Sequence, residues 1–151
     1  MSYSSLADLI NASNEEVIIQ LTDDEGTGSV NIDRVLSAIK TADDLIDGYI
    51  RGRYNVPLTE SVGIVKTISV DIAIYKLHER RLETDMPDSL VNRYKNALKM
   101  LEQIQKGVLA LGIATISETS GAGGTVSGGG DFRTNKKASD IVFDRDTLRR
   151  Y

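Results

Sequence analysis

No cysteine and no tryptophan occur in this chain of 151 residues, and there are only two prolines, two phenylalanines and one histidine. Without cysteine there is no disulfide framework, no thiolate metal site and no thiol nucleophile. The single histidine, His78, stands in His78-Glu79-Arg80-Arg81-Leu82, which lacks the second histidine of a zinc-protease helix. It reads as an ordinary imidazole on a helix surface. No apolar stretch approaches the roughly 20 residues that a membrane-spanning helix needs. The opening Met1-Ser2-Tyr3-Ser4 lacks the basic start and apolar run of a secretory signal. A soluble protein made inside the cell, with no membrane partner, is the expectation.

The chemistry-bearing patterns are equally sparse. The glycines at 121–124 and 128–130 follow no clear strand and precede no helix, so neither run makes a phosphate loop. No serine occupies a nucleophile elbow, and no carboxylate pair is framed by a pocket-like pattern. Thr22-Asp23-Asp24-Glu25-Gly26-Thr27-Gly28-Ser29 lacks the alternating acids and distal glutamate of a calcium loop and reads as a turn-rich connection. No enzyme activity, no metal and no cofactor are therefore expected.

What the chain does have is helical periodicity. Apolar residues at Ile32, Val35, Leu36, Ile39, Ala42, Leu45, Ile46, Tyr49 and Ile50 fall on one face of a helix that is predicted over 31–53. Gly52 weakens its end, and Pro57 pushes Val56 out of the helical region, so Tyr54–Leu58 reads as an extended crossing. Residues 61–83 are apolar on nearly every side, which marks a central helix. The β-branched residues in 63–75 make a strand the competing reading, and the length of the segment favours helix. A third helix, near 87–106, begins after Pro87 and ends at Gly107. Ahead of these, Ser4 or Ser5 caps a short helix, and Asn14 caps another that carries Val17, Ile18, Ile19 and Leu21 to the core. The fold class is all-α: a small bundle with two long helices plus shorter ones over residues 1–111, then a flexible tail, 112–151.

Asp71 is the odd polar residue inside the apolar run. As a catalytic carboxylate it has no evident partner base. As a structural one it pairs with Arg51 or Arg53, joining the turn that holds Tyr54 and Pro57 to the central helix. The tail is rich in Gly, Ser and Thr up to Gly130 and cannot bury enough apolar area to offset its ordering entropy. It ends in a motif with Phe143, Leu148 and Tyr151, read as a docking segment for a neighbouring protein. Charge is uneven as well: residues 1–50 carry ten acids against Arg34 and Lys40, whereas 51–110 carry ten bases against seven acids. That polarity suits head-to-tail packing between copies.

The order of signals resembles a phage family. Tyr3…Asp8-Leu9-Ile10 is followed by Ile19-Gln20-Leu21-Thr22-Asp23 and a Gly-rich turn. Then come Ile46-Asp47-Gly48-Tyr49-Ile50, Gly52-Arg53-Tyr54, Val56-Pro57-Leu58, Asp71-Ile72-Ala73 and Arg93-Tyr94. The tail Phe143–Tyr151 fits the same pattern. These blocks look like the neck proteins (head-completion, or head–tail connector) of Mu-like phages, related to gene product thirty-six of Mu. The resemblance implies a helical virion structural protein that forms a homo-oligomeric ring between portal and tail or stopper proteins. It implies residence in the virion neck, assembly in the host cytoplasm and passive contact with genomic DNA in the channel. The alternative is a small helical nucleic-acid-binding or regulatory phage protein. Against it, residues 1–130 hold eighteen acids and twelve bases, the wrong sign for a phosphate partner.

Overall fold

In the computed structural model, residues 2–60, 62–81 and 85–116 are described, and their regular structure is entirely helical. The elements are α1 (Leu6–Ser13), α2 (Glu15–Thr22), α3 (Ile32–Ile50), α4 (Gly63–Glu79) and α5 (Asp88–Lys106). Local chemistry sets their ends. The Ser5 hydroxyl accepts from the Asp8 amide while the Asp8 carboxylate accepts from the Ser5 amide, a reciprocal cap on α1. Asn14, at φ 72°, ends α1 and caps α2 through its side-chain oxygen. Asn31 caps α3 by accepting from the Arg34 amide. Gly107 closes α5 at φ 78°, a left-handed value that costs glycine nothing.

Helix α4 is the centre. Val65, Ile68, Val70, Ile72, Ala73, Ile74 and Leu77 are all buried, on faces that look toward α1, α3 and α5. That encirclement explains why no amphipathic stripe is visible in its sequence and settles 63–75 as helix. Two apolar stripes pack onto it: Val35, Ile39, Ala42, Ile46 and Ile50 of α3, and Leu90, Ala97, Leu101 and Ile104 of α5. Tyr75 of α4 and Tyr94 of α5 stack with centroids 3.9 Å apart and planes 8° from parallel.

The two long helices are shorter than the predicted 31–53 and 61–83. After Ile50 the chain tightens into turns, with the Arg53 and Tyr54 amides both donating to the Ile50 carbonyl at 2.9 Å. The crossing 54–58 is bent rather than extended, and its Val56–Pro57 peptide is cis, a geometry that the tertiary amide of proline tolerates. Contacts of the helical unit also continue past Leu111, since the Ile116 amide donates to the Arg53 carbonyl at 2.9 Å.

Candidate functional site

Side-chain chemistry gathers at the two ends of the bundle. One end holds the crossing between α3 and α4, with the end of α5 beside it. Tyr54 is fully buried there, and its hydroxyl accepts from the Leu111 amide at 3.2 Å. Arg53 lies against Gly107: a Cβ on that glycine would fall 1.8 Å from Arg53 Nη1. The N-terminal segment straps the same crossing. Tyr3 donates its hydroxyl proton to Asp47 and accepts from the Leu58 amide at 3.0 Å. Burial, reinforced by the Asp47 carboxylate, pushes the Tyr3 phenol up to about 12. Asp43 accepts from the Ser2 hydroxyl, the Tyr3 amide and the Ser69 hydroxyl, and buried Ser69 also bonds to Ser4 at 2.8 Å. A serine inside the most apolar helix is thereby satisfied.

At the opposite end, the 22–29 loop meets the start of α3 and the end of α4. Asp23 closes the loop by accepting from the Thr27 and Gly28 amides, which hold its carboxyl below the usual range. Asp24 takes three guanidiniums: Arg80 at 2.6 Å, with Arg81 and Arg34 each at 3.0 Å. The Arg80 bonds, then those of Arg81, hold its carboxyl far below the carboxylate norm. Arg80 and Arg81 reach on to the Leu21 and Asp23 carbonyls. A shallow groove of about 410 Å³ beside this cluster is rimmed by Arg34, Lys76 and Arg80. Its cations are already committed, Lys76 to Glu79 and the two arginines to Asp24.

The sequence-predicted structural residues separate. Asp71 pairs with Arg93 of α5, not with Arg51 or Arg53. The reason is register: Asp71 sits partway along α4, facing α5, whereas Arg51 and Arg53 stay at the end of the bundle. Arg51 is exposed, Arg53 is half-buried over the Tyr54 ring at 6.0 Å, and Pro57 is exposed in the crossing. Tyr54 is the one that anchors the turn. Phe143, Leu148 and Tyr151 lie outside the described residues. The Tyr3–Asp47 strap, the Asp43–Ser69–Ser4 chain and the Asp24 cluster are visible only in the fold. The signals available were a tyrosine near the start of an aromatic-poor chain and a serine amid apolar residues.

Comparison with known proteins places this geometry in context. The family model described as "Bacteriophage Mu, Gp36" matches residues 3–128, which takes in all five helices. A curated relative, the Mu-like prophage FluMu protein gp36 of Haemophilus influenzae, is 26% identical over 117 residues, covering 78% of this chain and 80% of that protein.

Proposed function

The chain belongs to the bacteriophage Mu Gp36 family, and from that premise we propose that it is a non-enzymatic structural protein of the virion. In this reading it forms a ring at the neck, an adaptor between the portal and the tail or stopper proteins, and assembles in the host cytoplasm. The observation that supports it is the use made of its half-buried carboxylates. Asp8 holds Lys66 and the Ser5 amide, Asp23 closes its loop, Asp43 and Asp47 hold the N-terminal strap, and Asp71 holds Arg93. Asp23 fixes its own loop and the others fasten one element to another, which is what a rigid assembly unit requires. A base or nucleophile would instead need a carboxylate open to substrate. The nucleic-acid reading draws less support, because Arg34, Arg80 and Arg81 converge on Asp24 rather than standing free for phosphates.

A phage in which this reading frame is silenced tests the proposal. Filled heads and free tails should accumulate unjoined, and supplying the protein in trans should restore infectious particles. Normally joined particles that lack the protein would overturn it.

A further inference from the structure

Four large apolar side chains stand exposed among the described residues, and they fall into two groups. Ile32 and Leu36, 57% and 54% exposed, lie one turn apart at the start of α3. Val108, 77% exposed, follows α5, with Met100 partly exposed about two turns earlier. The two groups mark opposite ends of the bundle. Arg34, in the first turn of α3, shares Asp24 with Arg80 and Arg81 after α4. Arg53, after α3, lies against Gly107 after α5.

Free charge divides the same way. At the Ile32 end Arg34, Arg80, Arg81 and Lys76 are taken up by Asp24 and Glu79, while Lys95, in the first half of α5, stays exposed. Glu25, Asp33, Asp85 and Asp88 remain, all exposed and without an ion pair among the described residues. At the Val108 end, Arg51 and Lys99 are exposed and have no ion pair among the described residues, and Lys106 meets Glu102 only at 3.7 Å. Glu60 is an exposed acid on that side without an ion pair among the described residues. We propose that the Ile32/Leu36 face of one copy docks on the Val108/Met100 face of the next, with acidic and basic rims in register. This rests on the ring reading above and gives that ring its contact. Two unlike patches at opposite ends cannot satisfy one another within a single copy, and an antiparallel two-fold pair that matched them would stop at a dimer. They match head to tail, the arrangement that closes into a ring. The apolar side chains lie at the centre of the contact, and the charges set register and encounter.

The absence of cysteine makes the test clean, because any disulfide then reports an engineered position. The variants are Leu36→Cys, Val108→Cys and the double variant, each in the full chain, oxidised at high protein concentration. Mixing the two single variants should give a linked dimer and nothing larger, and the double variant alone should give a ladder of multimers. Adding Arg51→Glu and Lys99→Glu to the double variant should cut linking by about tenfold or more, as like charges then face each other. Adding Asp33→Lys to that protein should restore part of it. If each single variant links with itself as readily as with the other, or the double variant stops at a linked dimer, the contact is two-fold and the proposal is wrong. If no variant links while the wild-type chain still forms rings by light scattering, the ring stands and these faces are not its contact. If the wild-type chain stays monomeric at every concentration and nothing links, the ring reading and this contact fall together.

Discussion

The two ends of this bundle are held by different physics. The crossing end is joined through buried or half-buried hydrogen bonds: Tyr54 to the Leu111 amide, Tyr3 to the Leu58 amide and Ser4 to Ser69, with Tyr3 also held by the Asp47 carboxylate. The loop end is joined by ions near water, three guanidiniums around the exposed Asp24. Counted as contacts, the loop end is the richer. Burial reverses the ranking. A buried hydrogen bond costs about 1–3 kcal/mol when one partner is left unsatisfied, whereas exposed ion pairs contribute about 0–1 kcal/mol and are screened by salt. The crossing end is therefore the scaffold, and the loop end is the adaptable one, with unpaired acids left over for a partner.

The largest effect should come from breaking the scaffold at its centre. Tyr54→Ala removes a fully buried ring and leaves the Leu111 amide unpaired, so a loss of about 3–5 kcal/mol is expected in denaturant unfolding. Next comes Gly107→Ala. The left-handed backbone alone costs a side chain about 1–2 kcal/mol, and the Arg53 guanidinium must also move aside. Thermal melts should show a clear drop that Gly107→Asn recovers in part, because asparagine tolerates this conformation.

The Tyr3 strap gives the comparison a pH signature. Its folded-state pKa lies above the unfolded value of 10, so the strap stabilises fully below pH 10. Its contribution is lost as pH rises from 10 toward 12, because the unfolded chain releases the phenolic proton first. Tyr3→Phe should flatten that alkaline loss while lowering stability at neutral pH. Smallest are the ionic changes. Asp71→Asn weakens a partly exposed pair with Arg93 and should cost about 0–1 kcal/mol. Asp24→Asn should lower the melting temperature slightly in dilute buffer and not at all in high salt. Equal salt sensitivity for Tyr54→Ala would break the distinction.

Much of this architecture is legible in the residues. The stripes of α3 and α5 announce amphipathic helices, and the crowded apolar run of α4 announces a helix surrounded on all sides. The cap at Asn14 and the stop at Gly107 follow from their side chains or the lack of one, whereas the choice of Ser5 over Ser4 needs the fold. The helical pattern in the sequence runs on to 53 and 83, past the observed ends at Ile50 and Glu79, because turns can extend the hydrogen-bonding pattern of a helix without continuing it. The partner of Asp71 departs from expectation for a different reason. Arg51 and Arg53 are nearer in sequence, but the pairing follows the register of α4 on α5, which no local pattern encodes. Tyr3 and Asp47 lie 44 positions apart, and only the folded chain shows that they meet. The acids of the first fifty residues do not make one charged face. In the fold Asp8, Asp24, Asp43 and Asp47 are committed internally, so the acidic surface left for a partner is smaller than the count of acids suggests.

Native-state hydrogen exchange measures the difference between the two ends most directly. The amides of Leu58 and Leu111, bonded to tyrosine hydroxyls at the crossing, should exchange only through global unfolding and be insensitive to salt. The amides of Thr27 and Gly28, bonded to Asp23 in the exposed loop, should exchange through local opening at a far lower free energy. Comparable protection at all four amides would contradict the claim that burial, rather than the number of polar contacts, makes one end the scaffold.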